Sequence, residues 1–210
     1  MGQKDLSMQA PNATLHLVSS LDETAGQIAA SLPPRARLLV VETARLGEGR
    51  SFAPGDAAPF QEYGMQTRLC DLRCETPASL ALHLDASDGC VLLGGNTFVL
   101  MEALAQIGYA DVIAARARAD DFQVIGESAG AVVMGSSIAH VADMDDPSAA
   151  GTRHDAGLGW IDARVLPHRG CPHWGFGEAV DRIIAADSDP GSLLVLDEDE
   201  LLTLAPEART

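Results

Sequence analysis

The sequence predicts a three-layer α/β fold in which a mostly parallel sheet is covered by helices on both faces. Apolar strand-like segments alternate with helical segments of about ten residues along most of the chain. Some of these strands are continuous apolar runs, which are typical of strands buried on both faces. Two strands end in turns of small residues that lead directly into a helix. Because ligands of such sheets bind beyond the carboxyl ends of the strands, the two turns are expected to lie together at the functional site.

The first half of the chain supplies most of this alternation. Residues 1–12 are polar and are predicted to form a disordered tail, which leaves residues 13–210 as a single domain without a visible repeat or linker. Residues 47–59 are rich in turn formers and predict a loop. Strands are predicted at 14–19, 37–41 and 89–93, helices at 22–30, 77–84 and 98–107, and a further helix and strand within 60–72.

The second half begins with a strand, a tight turn and a helix in direct succession, within residues 124–132. An acidic loop at 143–147 then opens a segment with little periodicity. The remaining predicted elements are a short strand at 163–166, a helix at 178–186 and a final hairpin that pairs 192–196 with 201–204.

The composition excludes several classes of function. A net charge of -16 argues against binding to nucleic acid or to anionic membranes, because both require basic patches. The sequence has no run of about 18 apolar residues and no basic-then-apolar segment at its start. Its four scattered cysteines fit free thiols better than a disulfide framework. We therefore expect a cytoplasmic protein whose partner is a small molecule or a peptide.

The pentapeptide Gly126-Glu127-Ser128-Ala129-Gly130 is typical of a nucleophile elbow. In this device a strand stops at a sharp turn and a helix begins at once, which leaves the central serine on strained backbone with its hydroxyl exposed. The N-terminus of the following helix directs unpaired N–H groups at the same point. A plain Gly-Ser-Gly turn is the alternative, but the predicted strand and helix favour Ser128 as a nucleophile.

The second turn, Gly94-Gly95-Asn96-Thr97, is expected to lie beside the elbow. Glycine leaves backbone N–H groups accessible, so Gly95 and Ala129 are predicted to donate the hydrogen bonds of an oxyanion hole. The rest of the turn, Gly94, Asn96 and Thr97, is expected to line the substrate site. A phosphate-binding turn is the alternative. Neither G-x-G-x-x-G nor a Walker lysine accompanies it, and no cofactor is predicted.

A serine nucleophile needs a base and a third group that orients the base. His168 follows a predicted strand downstream of Ser128 and is the first candidate for the base, with His173 as the second. His168, Cys171 and His173 together also suggest a metal site. Their spacing matches no established zinc pattern, so no metal is predicted.

Four motifs in combination resemble the peptidase E and cyanophycinase family of serine peptidases, over nearly the whole chain. The resemblance implies a class I glutamine-amidotransferase-like fold. It also implies cleavage after an N-terminal aspartate, as in peptidase E, or cleavage of an aspartate-arginine polymer, as in cyanophycinase. The motifs are the glycine turn at 94–97, the elbow at 126–131, Gly157-Leu158-Gly159 leading to Pro167-His168, and Leu196-Asp197-Glu198.

The same resemblance implies roles for individual residues. It assigns the nucleophile to Ser128 and the base to His168. The acid of peptidase E falls on Asp143, within Ala142-Asp143-Met144. Cyanophycinases place a carboxylate slightly later, nearer Asp146, so the third member of the triad is open between the two.

Two departures from the family pattern affect the base and the specificity. Arg169 follows His168 where the family usually has an aromatic residue, whereas His173 is followed by one, so the base is also open between the two histidines. The arginine-rich segment with which peptidase E holds the substrate aspartate is reduced here to Arg182. Arg169 and Arg153 are possible substitutes for the missing cations.

The residues and the resemblance together predict a serine exopeptidase. Its expected substrates are short peptides, above all dipeptides with an N-terminal aspartate, cleaved through a Ser-His-Asp triad and an acyl-enzyme. A related amidase or esterase, or a non-catalytic binding protein on the same fold, is the alternative. The expected partner is a small peptide, and the sequence leaves open whether a homodimer forms.

Overall fold

The structure is a computed structural model that describes residues 13–46, 57–118, 121–173 and 175–206. The predicted tail at 1–12 and most of the predicted loop at 47–59 lie outside these ranges. The strands are β1 (Thr14–Val18), β2 (Arg37–Val41), β3 (Gln66–Cys70), β4 (Gly89–Leu92), β5 (Gln123–Glu127), β6 (Arg164–Arg169), β7 (Leu193–Asp197) and β8 (Leu201–Leu204). The helices are α1 (Leu21–Ser31), α2 (Thr43–Leu46), α3 (Ala58–Glu62), α4 (Pro77–Asp85), α5 (Thr97–Ala105), α6 (Tyr109–Ala117), α7 (Ala129–Met134) and α8 (Phe176–Ala186).

A six-stranded sheet forms the centre of the molecule, in the order β3-β2-β4-β5-β1-β8. Its first five strands are parallel, and β8 runs antiparallel to β1 at one edge. The strands β6 and β7 form a separate parallel pair. The predicted α/β fold with a mostly parallel sheet is therefore confirmed.

The continuous apolar strands face a core on each side of the sheet. In β2, Leu39 and Val41 pack on one face and Leu38 and Val40 on the other, and all four are fully buried. The helices α5, α6 and α7 cover the first face, while α1 and α3 cover the second. Within the described ranges, no single helix is long and apolar enough to cross a membrane. The helices α5 and α6 together have the required length and apolar content, but the pair is bent by 84°.

The predicted hairpin between residues 192–196 and 201–204 is wrong. The first segment, as β7, pairs in parallel with β6, whereas the second, as β8, pairs with β1. Both segments are short apolar runs, and their local sequence does not distinguish a neighbouring strand from a distant one. Pairing with β1 satisfies the backbone groups along that edge of the central sheet. Because Leu201 pairs with Val18, the turn before β8 lies at the carboxyl end of β1.

The strand predicted at 163–166 extends further, to Arg169 as the end of β6. Its register with β7 shifts between Leu166 and Arg169, where Pro167 has no N–H group to donate to the ladder. The next residue, His168, has φ of 73°, in a region that few residues other than glycine adopt. The irregular end of β6 therefore carries the residue that the sequence analysis proposed as the base.

Candidate active site

The predicted elbow is present between β5 and α7. Ser128 has φ of 49° and ψ of -111°, and its N–H group donates a 2.9 Å hydrogen bond to the carbonyl oxygen of Val18. The glycines on either side are required by close packing. A Cβ atom on Gly126 would lie 2.6 Å from the carbonyl oxygen of Gly130, and one on Gly130 would overlap the carbonyl oxygen of Leu92. The motif thus places a strained serine where a strand, a helix and a neighbouring strand meet.

Two short hydrogen bonds connect Ser128, His168 and Glu198. Ser128 Oγ lies 2.7 Å from His168 Nε2, and His168 Nδ1 lies 2.7 Å from Glu198 Oε2. Because an ionised carboxylate only accepts hydrogen bonds, Nδ1 carries the imidazole proton and Nε2 is left to accept the serine proton. The histidine side chain is 8% exposed, and its ring stacks on Phe176 with centroids 4.7 Å apart.

The backbone of His168 is held by a serine from the central sheet. Its N–H group donates a 2.9 Å hydrogen bond to Ser19 Oγ, just after the end of β1. That hydroxyl in turn donates to the carbonyl oxygen of Asp197, at 2.9 Å. Ser19 therefore links β1, β6 and β7, and it stabilises the positive φ of the histidine. The N–H group of Glu198 donates to the carbonyl oxygen of Arg169, at 3.2 Å. This bond is a second link between the ends of β6 and β7.

The resemblance left the third member of the triad open between Asp143 and Asp146, and neither residue lies beside His168 Nδ1 in this structure. Asp143 lines a separate cavity, and Asp146 accepts hydrogen bonds from the backbone and hydroxyl of Ser148. Glu198 occupies the position beside Nδ1 of the histidine. Its only local signal is its place directly after an apolar run that ends at a strand terminus. Two short apolar runs on either side of this residue predict a hairpin, which would place Glu198 in an exposed turn and not at the site.

The two small-residue turns are neighbours, as predicted. A Cβ atom on Gly94 would lie 3.0 Å from the Cβ atom of Ser128. The N–H group of Gly94 is taken by Glu127 Oε2, at 3.0 Å. Both Gly95 and Ala129 line the cleft around the serine, and neither N–H group has a hydrogen-bond acceptor among the described residues. These two donors, and not Gly94, are available to an oxyanion.

The other residues of the glycine turn hold the start of α5. Asn96 Oδ1 accepts hydrogen bonds from the N–H groups of residues 98 and 99, and its Nδ2 donates to the carbonyl oxygen of Asp146. The N–H group of Thr97 donates to Asp145 Oδ2, at 2.9 Å. Protein groups therefore already occupy the N–H donors at the start of this helix, which argues against the alternative of a phosphate-binding turn.

A cleft of about 440 Å³ surrounds the serine hydroxyl. His173 lines this cleft, but the hydroxyl of Ser128 is bonded to His168. Acidic groups dominate the charged lining, and Arg45 is the single arginine among the described lining residues. The charged and titratable residues of the lining are Asp22, Arg45, Glu127, Asp145, His168, His173 and Glu198.

Arg45 is a site residue that the sequence analysis missed. Its Nη2 lies 2.8 Å from Glu127 Oε2, and both side chains are largely buried, at 21% and 11% exposed. Glu127 also accepts hydrogen bonds from the backbone N–H groups of Gly94 and Leu21. The residue before the nucleophile thus connects three loops around the elbow. The available signal for Arg45 was its position shortly after the carboxyl end of β2.

The arginines proposed from the sequence lie elsewhere. Arg169 forms a bidentate pair with Asp197, with Nη2 to Oδ2 at 2.8 Å, and this bond lowers the pKa of that carboxyl. Arg182 lines the separate cavity that also contains Asp143. Arg153 is exposed and pairs with Asp155 at 2.8 Å. None of the three lines the cleft around Ser128.

A partly exposed serine on an elbow, bonded to a histidine that a carboxylate orients, is the arrangement that defines serine hydrolases. Comparison with known proteins specifies the class further. The chain belongs to peptidase family S51, whose family model matches residues 12–208.

Individual relatives agree with this membership. The chain is 35% identical over 111 residues to an uncharacterized peptidase of Listeria innocua, and the match covers 52% of either chain. It is 29% identical over 171 residues to an uncharacterized peptidase of Pasteurella multocida, which covers 80% of this chain and 81% of the other. The chain spans about half the length of the Listeria innocua relative that it matches.

Two solved structures share the fold. A protein of Listeria monocytogenes EGD-e, provisionally named peptidase E, superposes with a TM-score of 0.79 at 23% identity, covering 92% of this chain and 98% of that one. A peptidase from an acI-B1 Actinobacterium superposes with a TM-score of 0.65 at 15% identity, covering 92% and 83%. At these identities the likeness establishes the architecture, which is the class I glutamine-amidotransferase-like fold that the resemblance implied.

Proposed function

We propose that the protein is a serine exopeptidase that hydrolyses short peptides through Ser128, His168 and Glu198. The observation that carries the proposal is the unbroken chain of two 2.7 Å hydrogen bonds from the serine hydroxyl to the carboxylate. The carboxylate therefore differs from the aspartate that the resemblance implied. Four free cysteines are consistent with work in a reducing compartment such as the cytoplasm.

The geometry supports acyl transfer in two steps. In the first, His168 Nε2 takes the proton of Ser128 Oγ as the oxygen attacks the peptide carbonyl, and Glu198 balances the imidazolium. The N–H groups of Gly95 and Ala129 donate to the developing oxyanion. The imidazolium then protonates the leaving amine, and an acyl-enzyme remains. In the second step the histidine removes a proton from water as the water oxygen attacks the acyl carbon. The bond to Ser128 Oγ then breaks, the imidazolium returns the proton to this oxygen, and the product acid is released.

The role of Glu198 can be tested by comparing two single substitutions, one at Glu198 and one at Asp143. Glu198→Gln is expected to lower kcat/KM by ~10²-fold, because an amide can donate to Nδ1 and favour the wrong imidazole tautomer. The carboxylate is 29% exposed, so water can replace part of its effect, and the loss is smaller than for the nucleophile. Asp143→Asn is the matched control and is expected to stay near the wild-type value. Peptide hydrolysis by both variants is the measurement, and a larger loss at Asp143 would restore the original assignment.

The charges of the cleft favour an exopeptidase with modest preference for aspartate. Asp22 and Asp145 can pair with the terminal ammonium group of a short peptide. Arg45 can contact an acidic side chain of the substrate, but Glu127 already neutralises it. The cleft therefore offers a substrate carboxylate one shared cation among several acidic groups.

Substrate kinetics test this view of specificity. Asp-Leu is expected to be preferred over Asn-Leu and Ala-Leu by less than ~10³-fold, a limit of roughly 4 kcal/mol at about 1.4 kcal/mol per decade. Arg45→Gln should lower kcat/KM for Asp-Leu by ~10-fold or more, because a charge-assisted hydrogen bond contributes about 1.5–3 kcal/mol. Ala-Leu controls for disturbance of the elbow, and Arg182→Gln controls for net charge. A preference above that limit, or equal losses on both substrates, would contradict this account.

A further inference from the structure

Three side chains that can bind a metal ion meet on the side of His168 that faces away from Ser128. They are His168 itself, Cys171 and Glu198. His168 Nδ1, Cys171 Sγ and a carboxylate oxygen of Glu198 all lie within 4.8 Å of one another. The histidine and the cysteine are buried, and Glu198 is partly exposed. The group differs from the one considered in the sequence, since Glu198 takes the place of His173.

A tight turn brings the thiol back to the histidine. The N–H group of Cys171 donates to the carbonyl oxygen of His168, at 3.1 Å. Gly170 allows this turn with φ of 77°, a conformation that costs glycine little. Glu198 arrives from the end of β7, and its own N–H group is bonded to the carbonyl oxygen of Arg169. The three donors are therefore held by backbone contacts between two adjacent strand ends.

We propose that His168, Cys171 and Glu198 form an inhibitory zinc site, with a water molecule as the fourth ligand. Thiolate, imidazole and carboxylate are the ligands that Zn²⁺ takes in proteins. At zinc–ligand distances of 2.0–2.3 Å, the donor atoms of a tetrahedral site lie roughly 3.3–3.8 Å apart. The present cluster reaches that spacing when the 2.7 Å contact between Nδ1 and the carboxylate opens by less than ~1 Å and the thiol, which lies within 4.8 Å of both, moves inward by no more than ~1.5 Å.

Zinc at this position would abolish the function of the base through its tautomer. A neutral imidazole that coordinates the ion through Nδ1 must carry its proton on Nε2. The Nε2 atom of His168 then donates to Ser128 instead of accepting its proton. The imidazole proton only moves between ring nitrogens, so the one proton released to solvent comes from the thiol of Cys171. Inhibition rests on the proposed function, whereas binding of the ion does not.

Direct metal binding tests the proposal without any need for catalysis. Titration of the metal-free protein with Co²⁺ should give one equivalent of binding and a near-ultraviolet thiolate-to-cobalt absorption band. Calorimetry with Zn²⁺ should give the same stoichiometry. Cys171→Ala should lose the band and at least about tenfold in zinc affinity. The matched control is Cys74→Ala, which removes an exposed thiol and should change neither. A band that persists without Cys171, or that disappears with Cys74, would overturn the assignment.

Inhibition is measured separately, against the metal-free rate of each variant. Zn²⁺ should inhibit wild-type peptide hydrolysis, and a chelator should restore it. Cys171→Ala should need at least about tenfold more zinc for the same inhibition, in proportion to its lower affinity. Zinc bound at Cys171 without any loss of rate would overturn the inhibitory role. If no peptide is hydrolysed at all, the proposed function fails, while the binding experiment still decides the site.

Discussion

Ser128→Ala is expected to reduce kcat/KM on short peptides by at least ~10³-fold, while the protein folds normally. The substitution removes the oxygen that forms the acyl-enzyme, and only binding and the oxyanion donors remain. The methyl group fits where the serine Cβ atom already lies, so no new contact with Gly94 arises. Single-turnover and steady-state hydrolysis measure the loss, and circular dichroism with thermal unfolding checks the fold.

The control for this variant is Ser136→Ala, which changes an exposed serine beyond the end of α7. It is expected to keep wild-type kinetics. An organophosphonate probe should label the wild-type protein and Ser136→Ala, but not Ser128→Ala, because only an activated hydroxyl reacts at an appreciable rate. Activity of Ser128→Ala within tenfold of the wild type would contradict the nucleophile. Absence of labelling in the wild type would favour a binding protein on this fold.

Replacement of His168 is expected to have an effect of the same size, at least ~10³-fold on kcat/KM, because His168 is the base to which Ser128 Oγ is hydrogen-bonded among the residues that the structure describes. Its φ of 73° complicates an alanine substitution, which adds backbone strain. His168→Asn avoids much of that strain, since asparagine adopts positive φ more readily. Equal losses in both variants would show that the loss comes from the missing base and not from backbone strain.

His173→Ala is the matched comparison, because this histidine lines the same cleft but is not the hydrogen-bond partner of Ser128. Its kcat/KM is expected to stay within about tenfold of wild type, a change of roughly 1.4 kcal/mol. Hydrolysis of one dipeptide by all three variants decides between the histidines. Loss of activity in His173→Ala with an active His168→Asn would reverse the assignment of the base.

The fold could be predicted from sequence because its signals are local. The continuous apolar run of β2 indicates burial on both faces, and the structure buries Leu38 to Val41 completely. The elbow could be predicted equally well, since Gly126, Ser128 and Gly130 act through contacts within one turn and its immediate neighbours. Local periodicity and turn chemistry were enough for these features.

The carboxylate Glu198 and the cation Arg45 could not be predicted from local sequence in the same way. Glu198 reaches His168 only because β7 joins β6 and β8 crosses to β1, a choice of partners made between distant segments. Arg45 is identified by its approach to Glu127, 82 residues later in the chain. Asp143 was selected by resemblance to a family motif, and nothing in its own neighbourhood reveals that it faces another cavity.

The hydroxyl of Ser19 joins parts of the molecule that the chain produces at different times. The nucleophile is complete once β5 and α7 have formed, but the base and the acid arrive only with the β6-β7 pair, which Ser19 ties to β1. Before that pair docks, Ser128 has no group that can activate its hydroxyl. As the chain is synthesised from its N-terminus, the residues of the elbow are therefore made before those of β6 and β7, and the nucleophile precedes the groups that can activate it.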